Sequence, residues 1–198
     1  MAISLKETFQ VKAPIDQVWR FLLDPQQVVL CMPGAQLEEV VGDDTFLGNI
    51  RVKVGPITTS YKGRVQFIEV DDQQYVIQMV AEGLEASGGT ARGTMSSRLR
   101  VLPDGRTEVL AEASAEITGR IVQFGRGMIQ GVSQQLFQEF AAAVRERLEA
   151  PPEAAAQEAL ATSEKQPIRV LPLVFGYLWS AVVRFFRRLF RIGGKSGR

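Results

Sequence analysis

The chain has 198 residues, of which 45% are hydrophobic and 23% charged, so it is long enough for one domain with a sizeable core and an additional segment. It has no histidine, the commonest general base and transition-metal ligand, and its single cysteine excludes an intramolecular disulfide framework. The net charge of +1 hides an asymmetry, because residues 1–149 hold 15 Lys or Arg and 19 Asp or Glu, whereas residues 165–198 hold eight basic and no acidic residues. The acidic balance of the first part disfavours nucleic-acid binding, and the basic end indicates a separate tail that seeks anions. We expect no secretory signal peptide, because no basic segment followed by an apolar one opens the chain.

A strand and two short helices are predicted at the start of the chain. Alternating apolar residues predict a strand over 3–11, in which Glu7 is the one polar residue on the inward side. Pro14 opens a first short helix, and a second is predicted over 26–30. Cys31 follows it, and we interpret this cysteine as a small buried side chain rather than a nucleophile.

Six further strands and one long helix follow. Turn residues divide alternating segments into predicted strands over 37–41, 46–54, 57–70, 75–84, 91–101 and 107–117. Apolar residues at spacings of three and four then predict a helix over 121–148, namely Ile121, Phe124, Met128, Val132, Leu136, Phe140 and Val144. The predicted fold class is therefore α+β, with a seven-stranded antiparallel meander followed by a long helix.

Three glycines lie in the first half of the predicted long helix, at Gly125, Gly127 and Gly131. Each costs about 1 kcal/mol relative to alanine in a helix interior. Two explanations remain open from the sequence. The helix packs tightly against the sheet at these positions, or its first half is a flexible gate.

The inward face of the predicted sheet is apolar, but its later strands carry small side chains. Gly93, Ala111, Ala113 and Ala115 leave space above them that a close-packed interior would have to fill. Either large helix residues such as Phe140 fill this space, or it is a ligand cavity, which we favour because small-molecule sites are mostly apolar. The residues predicted to line this cavity are Tyr61, Val65, Phe67, Ile77, Met79, Met95, Ala111, Ala113, Phe124, Met128, Val132 and Leu136.

No catalytic constellation accompanies the predicted cavity. No histidine is present to activate a serine or cysteine, no CxxC or phosphate-binding loop occurs, and inward carboxylates are scarce. We therefore predict that the protein is not an enzyme and has neither a catalytic cofactor nor a metal site.

The end of the chain is predicted to be a linker over 149–167 and a basic amphipathic membrane-associating tail over 168–198. Residues 170–183 lack charge but are fewer than the about 20 residues that a spanning helix needs. Arginines at helical spacing then face away from aromatic residues, which predicts a helix lying in the interface of an anionic leaflet. The residues predicted to bind the membrane are Trp179, Arg184, Phe185, Phe186, Arg187, Arg188, Phe190 and Arg191. A partner-docking helix and a tilted span are the alternatives.

Several local motifs stand out between residues 1 and 148. They are APIDQVW at 13–19, CMPGA at 31–35, VGPI at 54–57, YKGRVQF at 61–67, ITGRIVQFGRGMI at 117–129 and FQEFAAAVRERL at 137–148. This combination resembles the G-subunit family of carbon monoxide dehydrogenase, within the SRPBCC (START-like) superfamily. The resemblance implies a helix-grip fold, in which the seven-stranded sheet surrounds the long C-terminal helix and a hydrophobic cavity lies between them.

The resemblance also implies a function. Family members accompany a carbon monoxide dehydrogenase-type molybdenum oxidoreductase, or another quinone-reducing oxidoreductase, and tether it to the membrane. The expected location is cytoplasmic, peripheral on the inner face of the cell membrane, and the expected ligand is a respiratory quinone, menaquinone or ubiquinone. Two functions stay open: a carrier that moves this lipophile in electron transport, or an adaptor that anchors the dehydrogenase without carrying a ligand. A cyclase or hydrolase of the superfamily is disfavoured by the missing histidine.

Overall fold

A computed structural model describes residues 1–150 of the chain. Seven antiparallel strands form one sheet: β1 (Ala2–Val11), β2 (Ala35–Val41), β3 (Thr45–Val54), β4 (Ile57–Asp71), β5 (Val76–Glu85), β6 (Thr90–Val101) and β7 (Thr107–Ile117). Their order across the sheet is β1-β7-β6-β5-β4-β3-β2, so the first strand pairs with the last and all other neighbours are joined by hairpins or short connections. The helices are α1 (Ile15–Leu23), α2 (Pro25–Cys31) and α3 (Gly125–Glu149), and a 3₁₀ turn (Arg120–Phe124) precedes α3. The predicted helix-grip architecture is confirmed, and every predicted strand has its bounds within two residues of the observed ones.

The two short helices begin and end where the sequence provides caps. The Asp24 side chain accepts hydrogen bonds from the backbone N–H groups of Gln26 at 2.9 Å and Gln27 at 3.3 Å, which satisfies the free donors at the start of α2. Pro25 takes the first position of α2, where its missing N–H costs nothing. Cys31, at the end of α2, is buried in the core, and this burial raises the pKa of its thiol. The interpretation of Cys31 as a core side chain is confirmed.

Glycines allow β3, β4 and β5 to approach each other closely. Gly48 pairs with Gly63, and Gly63 pairs with Gly83, so the three form one row across the sheet. A Cβ atom on Gly63 would lie 1.8 Å from the carbonyl oxygen of Glu82, a distance that no side chain tolerates. Glycine rows of this kind, and the bulge between Phe67 and Glu69, are the devices by which a sheet bends around a helix.

The sheet has an outer face of charged side chains and an inner face towards α3. Exposed ion pairs cross neighbouring strands of the outer face, among them Lys6–Glu112 at 2.6 Å and Arg92–Glu82 at 3.0 Å. Such exposed pairs contribute at most about 1 kcal/mol each to stability. They mark this face of the sheet as the one that contacts water.

The apolar core consists of two clusters on the inner face. The first cluster joins α1, α2 and the C-terminal half of α3 to the sheet, and its buried members include Phe9, Val18, Ile77, Val109 and Val144. Phe9 is central to it, with the rings of Phe137 and Phe140 packed edge-on at centroid distances of 5.8 and 6.1 Å. The second cluster joins the 3₁₀ turn and the N-terminal half of α3 to β3 and β7, through Val54, Ile117, Ile121 and Ile129.

The start of α3 differs from the prediction. Gly125 has a φ of +76°, so the chain changes direction there and the periodicity of the 3₁₀ turn does not continue into the helix. As a result Met128, which was predicted to face inward, is 46% exposed, and Ile129 takes the buried position with 3% exposure. The later positions of the predicted stripe, from Val132 to Val144, are buried or half-buried as expected.

The glycines of α3 are not sites of close packing. A Cβ atom added to Gly127 or Gly131 would have no atom within 4 Å, apart from the helix's own nearby backbone. The explanation by tight helix–sheet packing is therefore wrong for both positions. Gly125 is required by its positive φ instead.

The predicted linker and tail lie outside the described residues, apart from positions 149 and 150, and so do all the residues predicted to bind the membrane. Within residues 1–150, no helix is both long enough and apolar enough to cross a membrane.

Candidate functional site

A strip of apolar side chains, on the inner face of the sheet and at Leu136 of α3, belongs to neither core cluster. Five of them are half-buried, namely Leu5, Val65, Met95, Ala113 and Leu136. Ala81, on the inner face of β5, is exposed. Side chains in the middle of an inner face keep exposed surface only where the facing helix does not cover them. These six residues, called the central strip below, therefore keep accessible surface on the inner side of the fold.

The register of the strands places small residues of the inner face side by side, next to and within the central strip. In one row Ile3 pairs with Ala115, Ala115 with Gly93, Gly93 with Ala81, and Ala81 with Val65. The next row towards the first core cluster runs through Leu5, Ala113, Met95, Met79 and Phe67. Because neighbouring strands lie about 4.8 Å apart, each row of five strands is about 19 Å wide. The accessible part of the inner face is therefore apolar and of molecular dimensions.

The structure places the predicted cavity residues in four different surroundings. Those that are half-buried at or beside the central strip are Val65, Phe67, Met79, Met95, Ala113, Val132 and Leu136. Ile77 and Ala111 are buried, at 1% and 3% exposure, and Ile77 belongs to the first core cluster. Both residues are therefore part of the packed interior, and their role in lining a cavity stays a prediction.

Phe124 and Met128 lie at the turn between β3 and β4. A Cβ atom on Gly55, in that turn, would be 3.7 Å from the Phe124 ring and 3.6 Å from the Met128 sulfur. These two side chains thus contact the rim of the grip rather than its floor. Phe140, the residue considered as a filler of the small-residue patch, packs on Phe9 in the first core cluster, which does not include Ala113.

Polar side chains lie at one end of the inner face, where β4 pairs with β5. Tyr61 is directly opposite Glu85, and the Thr59 hydroxyl donates to Oε1 of Glu85 at 2.5 Å. The Tyr61 hydroxyl and Oε2 of Glu85 are buried and have no hydrogen-bond partner among residues 1–150. Sequence reasoning placed Tyr61 in the cavity but missed Glu85. The signal was available, because Glu85 continues the inward alternation of Ile77, Met79 and Ala81.

The protonation of this pair follows from its neighbours. The pKa of Glu85 is lowered, because the Thr59 hydroxyl donates to its carboxylate and the Ser87 hydroxyl and the Arg120 charge also favour the ionised form. Burial raises the pKa of the Tyr61 phenol, and the negative charge of Glu85 raises it further. At neutral pH the site therefore presents one neutral hydroxyl, which donates and accepts, and one carboxylate, which only accepts.

The arrangement offers no obvious catalytic chemistry within the described residues. Residues 1–150 contain no group of three or more Cys, Asp or Glu side chains that could hold a metal ion. Glu7, the polar residue on the inner side of β1, accepts a hydrogen bond from the Gln134 amide at 3.4 Å, so α3 provides its partner. What the geometry provides is an apolar floor with two polar atoms at one end.

The sequence identifies the family to which this arrangement belongs. A sequence profile of the G subunit of carbon monoxide dehydrogenase (CoxG) matches residues 8–149, more than half of the chain. The chain belongs to the CoxG family. The predicted resemblance is thereby confirmed, and its span coincides with the helix-grip domain. No curated protein matches the chain in sequence.

Solved structures share the fold of this CoxG-family chain. A conserved protein from Geobacillus kaustophilus has a TM-score of 0.68 and 19% identity, covering 74% of this chain and 95% of its own. The Zhui aromatase/cyclase from Streptomyces sp. R1128 has a TM-score of 0.57 and 18% identity, covering 75% and 94%. A START superfamily protein from Mycobacterium smegmatis has a TM-score of 0.52 and 10% identity, covering 74% and 97%. At these identities the likeness shows the fold alone.

Proposed function

We propose that this CoxG-family protein is a non-catalytic carrier of a hydrophobic small molecule, a respiratory quinone such as menaquinone or ubiquinone. The observation that carries the proposal is the central strip, whose apolar side chains stay accessible between two well-packed clusters. Leaving such surface open to water is unfavourable by about 25 cal/mol per Å². A lipophile that covers the strip would recover this free energy, so the exposed strip favours a bound apolar ligand.

The dimensions of the inner face support an elongated ligand. The path along β4 from Tyr61 to Phe67 covers six residue steps, or about 20 Å at 3.3 Å per residue. Few side chains rise from the sheet beside this path, because Gly63, Gly83 and Ala81 carry little or no side chain. A quinone ring with the first isoprenoid units of its tail fits such a floor.

The proposed partners are the membrane and a quinone-reducing oxidoreductase. The family name associates its members with carbon monoxide dehydrogenase, a molybdenum oxidoreductase that would deliver electrons to the carried quinone. The sequence of residues 168–198, with arginines and aromatic residues at helical spacing, favours peripheral binding to an anionic leaflet at the inner face of the cell membrane. Together the two parts would connect the enzyme to the quinone pool.

An adaptor that anchors the dehydrogenase without a carried ligand is the second candidate, favoured by the same basic, aromatic tail. Extraction separates the two. The full chain, purified without detergent, is denatured in organic solvent and the extract is analysed for prenylated quinones by mass spectrometry. A carrier yields quinone at a substantial fraction of one molecule per chain. An extract free of lipophiles, from protein that still sediments with membranes, would favour the adaptor.

Membrane binding is tested on liposomes with the full chain. A variant with four arginines replaced by glutamine should sediment less with anionic liposomes, because each basic residue near an anionic leaflet contributes about 1 kcal/mol. The replaced residues are Arg184, Arg187, Arg188 and Arg191. Raised salt should weaken the wild type in the same way, since exposed charges are screened over about 10 Å at 0.1 M. Binding that is indifferent to salt and lipid charge would instead favour a spanning helix or a protein partner.

A further inference from the structure

We propose that one end of the helix-grip domain binds the surface of an anionic phospholipid bilayer directly. This end, called the cationic end below, comprises Lys53, Arg120, Arg126 and Met128, where two turns of the sheet meet the start of α3. The contact is separate from the membrane binding proposed for residues 168–198 and depends neither on it nor on the carrier function.

The topology of the sheet sorts the turns into two groups with different charge. Successive turns of an antiparallel meander lie at opposite ends of its strands. The turns β2–β3, β4–β5 and β6–β7 therefore share one end, and they carry Asp43, Asp44, Asp72 and Asp104, the last of which is paired with Arg106 at 2.6 Å. The turns β3–β4 and β5–β6, at positions 55–56 and 86–89, share the other end and contain no acidic residue. The domain is thus acidic at one end of its strands only.

Contacts join the two acid-free turns to the start of α3. A Cβ atom on Gly55, in the β3–β4 turn, would lie 3.6 Å from the sulfur of Met128. A Cβ atom on Gly119, immediately before the 3₁₀ turn, would lie 2.6 Å from the Cα atom of Gly89 in the β5–β6 turn. Because the 3₁₀ turn leads directly into α3, these four segments form one continuous surface.

This surface carries unpaired positive charge. Lys53, Arg120 and Arg126 are exposed, and none of them forms an ion pair with an acidic residue of 1–150. The N-terminus of the 25-residue α3 adds partial positive charge at the same place. The acidic residues closest in sequence to the two turns and the 3₁₀ turn are already engaged or face elsewhere. Glu85 accepts a hydrogen bond from a threonine hydroxyl at 2.5 Å, and Glu116 lies opposite an arginine on the outer face.

Exposed apolar side chains accompany these cations. Met128 is 46% exposed in the first turn of α3, and Leu84, beside the β5–β6 turn, is 66% exposed. Cations attract the phosphates of an anionic leaflet, and apolar side chains between them enter the boundary of the acyl chains. The same leaflet repels the aspartates at the opposite end, so the charges favour one orientation of the domain on the lipid surface. An anionic bilayer therefore fits this surface better than a partner that offers negative charge alone.

The first test measures partition onto vesicles of phosphatidylcholine and phosphatidylglycerol. The parent is the full chain with its tail arginines replaced by glutamine, namely Arg184, Arg187, Arg188 and Arg191, so that the contribution of the tail is reduced. In this parent, Lys53→Gln with Arg126→Gln should weaken partition by about fivefold for each charge removed. Lys12→Gln with Arg20→Gln is the matched control. Both residues are exposed and lie towards the acidic end, so this pair should bind as the parent does.

The second test locates the contact without removing any charge. Met128→Cys is labelled with a nitrobenzoxadiazole fluorophore in the same parent, and Cys31 stays unlabelled because it is buried. The emission should increase and shift to shorter wavelength when anionic vesicles are added. Val101→Cys is the control, because Val101 is 58% exposed at the end of β6 that borders the acidic β6–β7 turn. Its label should not respond.

Three results would overturn the inference. They are partition of the Lys53 and Arg126 variant equal to that of the parent, equal responses of the two labels, and a parent that does not bind anionic vesicles. The first would leave the cationic end as a surface for an acidic protein partner instead. The proposed function would survive all three if the wild-type chain still sediments with membranes and yields quinone on extraction. Conversely, a chain that yields no quinone but passes both vesicle tests would overturn the carrier function alone.

Discussion

Two alanines of β7 provide a matched test of the accessible space over the sheet. Ala111 and Ala113 both face inward and are two residues apart, but Ala111 is 3% exposed, whereas Ala113 is half-buried in the central strip. Replacing each with tryptophan adds the same volume on the same face of the same strand. Only the space above the two positions differs.

The expected costs follow from that space. At Ala111 the indole has to displace packed neighbours, and overpacking of this kind costs about 1–3 kcal/mol or more. At Ala113 an indole that buries half of its about 200 Å² would gain about 2.5 kcal/mol at 25 cal/mol per Å². Lost side-chain freedom and imperfect packing offset much of this gain. We therefore expect Ala113→Trp to remain within about 1 kcal/mol of the wild type, and Ala111→Trp to be clearly destabilised.

The assay is urea unfolding of the full chain, followed by circular dichroism, with the free energy compared between the two variants. Under the carrier function Ala113→Trp should also lose its extractable quinone, because the indole occupies the floor on which the ligand lies. Equal destabilisation of both variants would show that the space above Ala113 is filled, and would refute the argument from the central strip. A stable Ala113→Trp that retains quinone at the wild-type ratio would place the ligand elsewhere.

Three further predictions concern stability. Phe9→Ala removes the ring on which Phe137 and Phe140 pack, and should lower the free energy of unfolding in urea by about 3–5 kcal/mol. A decrease below about 1 kcal/mol would contradict the central place of Phe9 in the core. Gly131→Ala should stabilise the protein by about 0.5–1 kcal/mol in thermal unfolding, because nothing occupies the space of the new Cβ, whereas Gly125→Ala should destabilise it because of the positive φ. The hydrogen bond from Thr59 lowers the pKa of Glu85 in the folded protein. A lowered pKa stabilises the fold at a pH above the pKa of the unfolded chain, about 4.3, and this stabilisation is lost as the pH falls through the pKa of the folded state. Thr59→Val should therefore have a lower free energy of unfolding than the wild type near neutral pH, and this difference should shrink in acid. A difference that stays constant with pH would show that the hydrogen bond does not favour the ionised form of Glu85.

The fold was largely predictable from local pattern. Alternation along the strands and turn residues between them determined the seven strands, because each strand has one face towards the core and the other towards water. The cap formed by Asp24 and Pro25 likewise determined where α2 begins. These features depend on neighbours in the sequence, so a single chain is sufficient to read them.

The start of α3 was predicted less well, for a physical reason. Ile121, Phe124 and Met128 have helical spacing, but Gly125 adopts a positive φ that separates the 3₁₀ turn from α3. A glycine tolerates this conformation and an ordinary helical one equally, so the sequence does not say which it adopts. The choice is made by the contacts of the 3₁₀ turn with the second core cluster.

The sequence by itself determined the fold class, the family resemblance and the small, apolar character of the inner face. Only the tertiary structure decided which of those inward residues face open space, because Ile77 and Met95 have the same alternation but lie under different parts of the molecule. It also decided that Tyr61 faces Glu85, since the pairing depends on the register of two strands whose partner residues are 24 positions apart. Periodicity fixes the direction of a side chain relative to its own strand, whereas the space and partners that it meets are set by how α3 crosses the sheet.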